Sequence, residues 1–287
     1  MSRPAVPVTA APLRHRPGVL RRRLRREVSR LRDPRRAAAI VILGVVLGLL
    51  ITAAIARGEL TGADARAYWA AVRTWLHGGD PYHPASPFMP YVYAPWLLPL
   101  FTPWALLPWD VAWFSWRWAN VLLFLWSVHW AYRRRPLATA LLVAALALPF
   151  AACLDTGNVN LVLVLMLWSA QWTRPVLGGL LWMIPAAMKW LPVVFLPLLA
   201  PRARAWGLAF AGVAVVLSLA TFPATLAQLR ILVDFPRPAR IDYLIFAWAL
   251  VPWLWRHPDP SSLVRPSAWR ARLAAARRAR TFLGLDG

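Results

Sequence analysis

Leu180-Leu-Trp-Met-Ile-Pro185-Ala-Ala-Met-Lys189-Trp-Leu-Pro192-Val-Val-Phe-Leu-Pro197 is an apolar run with a single fixed charge at its centre. Lys189 is the only lysine of the 287 residues; every other member of the 33 Lys plus Arg is arginine. A charge at membrane depth costs roughly 2.5–3.5 kcal/mol even on lenient insertion scales, so it needs a partner or a polar cavity. A lone Lys in an Arg-biased chain points to a compact ammonium where a planar fork would not serve. A bland reading competes: a lysine at a helix end reaching toward the surface along its aliphatic stem. The run Val176–Ala200 is long enough for one tilted crossing, yet Arg202 and Arg204 follow it. One crossing would leave them on the wrong side by the positive-inside rule. Two short helices meeting near Lys189, with Pro185 and Pro192 flanking the tip and allowing the break, bring the chain back to the side it left.

Outward from this run the same grammar repeats. The chain is 60% hydrophobic with a mean hydropathy of +0.50, and apolar stretches of membrane-spanning length recur. That predicts an all-α, polytopic transmembrane protein; short alternating segments of a β-barrel are absent from the sequence. The formal charge of +22 does not imply nucleic acid, because arginines cluster before residue 37 and from Arg256 onward, flanking the spans. There they set topology and meet anionic lipid. The one cysteine, Cys153, excludes an internal disulfide. The N-terminal basic region is long and its apolar stretch exceeds a signal core, which predicts an uncleaved first span.

The expected organisation has three parts: a cytoplasmic Arg-rich arm over 1–36, a transmembrane domain over 37–256, and a cytoplasmic basic tail over 257–287. Span one covers 37–56. A first outer loop over 57–108 holds an interfacial helix, Thr61–His77, whose Tyr68, Trp69, Val72, Trp75 and Leu76 share a face. Gly78-Gly79-Asp80-Pro81-Tyr82 ends it. Tyr91–Pro108 carries four prolines and reads as a broken or re-entrant helix. Span two, 110–132, ends at Arg133-Arg134-Arg135 inside. Span three is 137–153, span four runs from Val159 toward Arg174, the Lys189 hairpin follows, and span seven is 205–222. Residues 223–240 form a second outer loop, and 241–255 the last span. This gives about eight membrane helices, two of them short, with both termini cytoplasmic.

By this topology Glu59, Asp64, Asp80, Asp110, Asp155, Asp234 and Asp242 all stand at or near the outer face. Asp64 is also an ordinary first-turn helix acid, with Tyr68 one turn on. Asp155 precedes Thr156-Gly157-Asn158-Val159-Asn160, which also fits a plain turn with a cap, and Asp80 before proline fits turn chemistry. Together they offer more: a deep cation, carboxylates, amides and aromatic rings at one face. A lipid-phosphate-linked sugar needs a cation for its phosphate, rings and amides for its sugar, and one carboxylate as base for the acceptor hydroxyl. The phosphate leaves as an anion, so the carboxylate pair of a hydrolase is not required.

Three segments carry a family resemblance. They are Asp64-Ala-Arg-Ala-Tyr68-Trp with Gly79-Asp80-Pro81-Tyr82 and Tyr91-Val-Tyr93-Ala-Pro95; Thr156-Gly157-Asn158-Val159-Asn160; and Gly178-Gly179 followed by Met188-Lys189-Trp-Leu-Pro192. In this order they resemble glycosyltransferase family 87, polyprenyl-phosphate-dependent enzymes of the multispanning C-type fold that include mannosyl- and arabinofuranosyltransferases. Asn158 stands where that family often has Gln, and the chain is shorter than its usual member. The resemblance implies Asp64 as the catalytic residue. It also implies a lipid-linked donor, an extracytoplasmic glycolipid or glycan acceptor, inversion and no nucleotide-sugar site. Lys189, Asp155, Asn158, Asn160, Tyr68, Asp80, Tyr82 and Tyr93 are the candidate substrate-binding residues. No cofactor is expected and no tight metal cluster is present in the sequence, although Asp64 and Asp155 could share a divalent cation. The expected partners are donor, acceptor and membrane lipid, and no nucleic acid. A non-catalytic membrane partner of a larger envelope assembly and a lipid transporter are the alternatives. Inverted repeats would mark a transporter, and the sequence shows none.

Overall fold

The structure, a computed structural model, describes residues 33–56, 62–83, 90–234 and 241–256. Nearly all of the expected arm, the whole tail, Glu59 and the end of the second outer loop lie outside them. Every regular element among the described residues is helical. Helix α1, Pro34–Ala56, is apolar after its first turn. At 1.5 Å per residue its 23 residues reach about 35 Å, enough for a bilayer core. Helix α2, Ala63–Leu76, forms where a helix is expected: Asp64, Ala65, Ala67, Tyr68, Ala71 and Val72 are buried, while Trp75 and Leu76 are exposed. Tyr91–Pro108 is broken as its prolines demand. A single 3-10 turn, Pro95–Leu97, leads into the short α3, Leu98–Ala105, with Pro103 inside it.

Helix α4, Trp109–Tyr132, is the longest. Its 24 residues are long enough to cross, but Asp110, Arg117, Asn120 and His129 dilute its apolar character. The next span departs from expectation. Instead of one straight helix over 137–153 there are two, α5 (Pro136–Ala145) and α6 (Ala147–Thr156), bent by 63° at Leu146. Pro149 explains the bend. It has no N–H for the Ala145 carbonyl, and its ring crowds that same carbonyl. Helix α7, Asn160–Ala170, is shorter than the expected fourth span and largely buried.

Helix α8, Pro175–Met188, stops where the hairpin reading placed its tip. Lys189 is extended (φ −139°, ψ 138°), and Leu191–Leu198 returns as a 3-10 helix. Pro192 and Pro197 both lack the donor an α-helix needs there. Trp182 Nε1 donates to Pro192 O at 3.0 Å, tying the return against α8. Arg204 closes its base by donating to Pro197 O and Leu199 O at 2.6 and 2.8 Å. Helix α9, Pro201–Ala220, then rises beside α8. The crossing point is glycine on both sides. A Cβ on Gly179 would stand 2.5 Å from Gly207 N, and one on Gly207 would stand 2.8 Å from the Trp182 ring. Small residues of this kind let membrane helices approach closely.

Two further expectations are corrected. Residues 223–234 of the supposed outer loop lie in helix α10, Phe222–Asp234; Leu, Ala, Gln and Arg are all good helix formers, and Gln228 docks it on Val92 O at 3.1 Å. The last span is not one α-helix but a 3-10 run, Ile241–Leu250, followed by α11, Val251–Arg256. Its loosened carbonyls find side-chain donors. Trp168 Nε1 donates to Trp248 O at 2.6 Å and Gln171 Nε2 to Ala249 O at 3.1 Å, while Trp248 Nε1 reaches Ser127 Oγ at 3.1 Å.

Among the described residues two helices, α1 and α9, are long and apolar enough to cross a membrane by themselves, and the bent α5–α6 pair makes a third if it is one span. Of the other segments, α4 is long enough but carries too many polar residues, and the rest are too short or interrupted. The chain is a helical membrane protein in which several apolar segments are short or bent, and tryptophan side chains bond backbone carbonyls throughout it. Besides Trp168 and Trp182, Trp69 donates to Leu107 O, Trp104 to Ala112 O, Trp116 to Gly157 O and Trp255 to Ala131 O. Where a break frees a carbonyl in an apolar setting such a donor is needed; Ala112 O, inside α4, and Ala131 O, which already accepts Arg134 N and Arg135 N, gain theirs in addition.

Candidate functional site

The junction between α6 and α7 is the centre of the site. Gly157 caps α6 in the left-handed conformation (φ 68°), and Asn158 N bonds back to Cys153 O at 3.0 Å. This is the helix-ending geometry that glycine permits. A Cβ on Gly157 would also meet the Trp113 ring at 2.7 Å and the Ala65 side chain at 2.8 Å. The turn is therefore pressed against α4 on one side and the first turn of α2 on the other. Gly62 N donates to Asp155 O at 3.2 Å, which registers the start of α2 on the end of α6.

This register sets Asp64, in the first turn of α2, against Asn158. Asn158 Nδ2 donates to Asp64 Oδ2 at 2.8 Å and to Asp242 Oδ2 at 3.3 Å, so one amide bridges two carboxylates. Its orientation is fixed from behind: Asn160 N donates to Asn158 Oδ1 at 3.0 Å, which leaves the NH2 group facing the acids. Asn160 Nδ2 adds a bond to Asp242 Oδ2 at 3.0 Å. Asn160 Oδ1 is buried and has no hydrogen-bond partner among the described residues.

Lys189 comes in from the α8 break. It is 5% exposed, so it does not reach for solvent. Its Nζ lies 5.3 Å from the centre of the Tyr93 ring and 5.2 Å from that of Tyr243, a two-ring cation–π seat. Tyr93 in turn shares a hydroxyl contact of 3.2 Å with Tyr68, and its carbonyl accepts from Tyr82 Oη at 3.0 Å. Tyr91 packs edge-on to Tyr93 at 5.5 Å.

The structure thus gathers Asp64, Asn158, Asn160, Lys189, Tyr68 and Tyr93 into one buried cluster, with Tyr82 as its support. Asp155 is buried at the same junction. Asp80 is not among them. It is exposed and closes its own turn, accepting from Tyr82 N at 2.9 Å and contacting His83 Nδ1 at 2.7 Å. Partial burial pushes its carboxyl up, but the His83 hydrogen bond, the Tyr82 N–H and the His83 charge outweigh this and hold it below the usual value. Sequence reasoning placed Asp242 at the outer face without giving it a role, and did not single out Tyr243. Their signal was available: an acid and an aromatic ring at the head of the last apolar segment. Among the described residues no group of three or more His, Cys, Asp or Glu gathers where a metal could be held.

Trp113, which backs Gly157, also lines an open groove of about 460 Å³ on α4 with Asp110, Phe114, Arg117, Trp118 and Val121. The acidic cluster itself is closed, with Asn158 and Asn160 at 1% and 0% exposure.

A comparison with known families places these residues. The family model described as "Glycosyltransferase family 87" matches residues 91–246, which hold Tyr93, Asn158, Asn160, Lys189 and Asp242; Asp64 precedes the matched range. The chain belongs to glycosyltransferase family 87. Membership implies a membrane glycosyltransferase, with a sugar donor and an acceptor. No curated protein and no solved structure matches it.

Proposed function

We propose that the chain moves a sugar, mannose or a similar hexose or pentose, from a polyprenyl-phosphate donor to an extracytoplasmic glycolipid or glycan acceptor, with inversion. The observation that carries this reading is that Asp64 and Asn158 meet at 2.8 Å while Lys189, from a third distant segment, is buried against the rings of Tyr93 and of Tyr243, the residue after Asp242. In the proposed reaction the Asp64 carboxylate takes the proton of the acceptor hydroxyl. The acceptor oxygen bonds to the anomeric carbon as the bond from that carbon to the phosphate oxygen breaks. The departing lipid phosphate keeps the electron pair, and the Lys189 ammonium meets its charge.

Asn158 holds Asp64 in place through the 2.8 Å bond, and Asp242 shares that amide. In this reading Asn160 Oδ1, which has no hydrogen-bond partner among the described residues, accepts a sugar hydroxyl once the cluster opens to substrate. Tyr68, Tyr82 and Tyr93 form aromatic walls of the kind on which sugar faces stack, and Asp155 buttresses the junction. The α4 groove beside Trp113 offers a lipid tail a lateral approach. In the proposed topology Arg133–Arg135, Arg202 and the basic tail face the cytoplasm, while Asp64, Asp155 and Lys189 face outward across about eight helical passes. A donor panel tests the reading. Membranes containing the protein should transfer radiolabelled mannose or another sugar from polyprenyl phosphate to lipid or glycan, and should not use nucleotide sugars. Transfer from a nucleotide sugar alone, or from no lipid-linked donor, would remove it.

A further inference from the structure

A second concave site lies at the other end of α4. From Trp113 to Trp130 the helix advances 17 residues, about 25 Å at its regular rise, so this site is remote from Asp64. Trp130, Arg134, Trp172, Pro252 and Trp255 line a cavity of about 200 Å³. The residues come from the end of α4, the end of α7 and α11, three elements far apart in sequence. The Trp130 and Trp172 rings stack at 4.8 Å and 29°. The Arg134 guanidinium lies 3.6 Å from the Trp130 ring centre and donates one N–H to Trp130 O at 3.1 Å. The cation is therefore held over an indole face, and among the described residues it makes no other hydrogen bond and no ion pair. An Arg simply lying along the surface would not need this seat.

We propose that this cavity binds the phosphate headgroup of an anionic membrane phospholipid, with Arg134 as the phosphate-binding group and Trp172 and Trp255 flanking the glyceryl stem. Charge selects the occupant. Arg134 lines the cavity, the Arg135 guanidinium lies 5.7 Å from the Trp255 ring centre, and Arg133 and Arg174 lie next to or near lining residues in sequence. A planar guanidinium pairs with phosphate oxygens two at a time, and basic pockets between membrane helices are where anionic headgroups lodge. The chain's own tail is the wrong occupant by charge: residues 257–287 hold six Arg against two Asp. The proposal does not depend on what the chain transfers.

The test uses the full chain reconstituted in phosphatidylcholine bilayers with a trace of photoactivatable phosphatidylglycerol, the label mapped by peptide mass spectrometry. Label is expected on the peptides carrying Trp130, Trp172 or Trp255, displaced by unlabelled phosphatidylglycerol and not by added phosphatidylcholine. Arg134→Gln should lower it about tenfold or more, the loss of one charge-assisted contact. Arg134→Lys should restore part of it, since charge returns without the stacked fork. Equal labelling of a folded Arg134→Gln protein, or equal displacement by phosphatidylcholine, would overturn the proposal. So would stronger displacement by polyprenyl phosphate, which would make this a donor site, or by soluble glycerol phosphate, which would make it a free-phosphate site. If Arg134→Gln does not fold, the competition on the unaltered protein decides alone.

Discussion

Lys189 and Gly157 show how single residues set this site. Lys189 is buried against Tyr93 and Tyr243 where the helix breaks, so its charge is available only to something inside the cluster. Lys189→Met should leave folding intact and weaken donor binding about 10- to 150-fold, the value of a charge-assisted bond. Lys189→Arg should rescue it only in part, because the wider fork must fit a seat shaped for an ammonium. Donor affinity and thermal stability measured on the same variants separate this from a structural role: unchanged affinity with raised stability in Lys189→Met would return the residue to packing alone. Gly157→Ala tests the turn. The left-handed conformation costs a non-glycine residue about 1–2 kcal/mol, and the new methyl must displace Trp113 and Ala65. A loss of at least that size in unfolding free energy is expected, with weakened activity because Asn158 moves. What the sequence could reveal at this scale was the set of polar residues stranded at span junctions. What it could not reveal was pairing across 84 and 94 positions: Asn158 to Asp242, and Asn158 to Asp64. Nothing local in Ile241–Asp242–Tyr243 says which partner it meets.

At the scale of elements, the prolines and glycines were the readable signs. Pro185 and Pro192 located the break at Lys189, and the prolines of 91–108 its broken helix. Pro149 was equally visible, but it lay in a stretch whose mean hydropathy reads as one span, so the 63° bend at Leu146 went unforeseen. The 3-10 form of Ile241–Leu250 has no such sign; it exists because Trp168 and Gln171, on another helix, satisfy its carbonyls. Helix α10 was passed over because its polar residues lie among apolar ones without a crossing length. The α8–α9 contact offers a matched experiment. Gly179→Ala puts a methyl 2.5 Å from Gly207 N and should destabilise the protein by about 1–3 kcal/mol, the usual cost of overpacking. Gly212→Ala, on the same α9 helix with nothing within 4 Å of the new Cβ, should be neutral or stabilising by up to about 1 kcal/mol. Thermal unfolding in one detergent compares them directly. Equal effects would mean that the helices do not meet through glycine.

For the whole molecule, composition and charge placement identified a helical membrane protein, and three ordered motifs identified its family. The number of crossings was less legible, because hydropathy counts apolar length and this fold uses short, broken helices whose carbonyls are met by tryptophan. The proposed sidedness follows from the arginines and can be measured. His83→Cys, at the Asp64 end, should react from outside intact cells with an impermeant maleimide, and Ala200→Cys, at the base of the Lys189 hairpin, should not; Cys153 is buried and stays silent. Labelling of the second site and not the first would invert the topology and place the cluster on the cytoplasmic face. The central claim is that the cluster around Asp64 performs the transfer. Its most direct test is the rate of sugar transfer from polyprenyl phosphate by purified protein in proteoliposomes, unaltered and as Asp64→Asn, which keeps the shape and removes the proton acceptor. The account predicts a loss of at least about 10²-fold with donor binding retained. Near-normal turnover by Asp64→Asn would contradict it and assign the base to another carboxylate, Asp242 first.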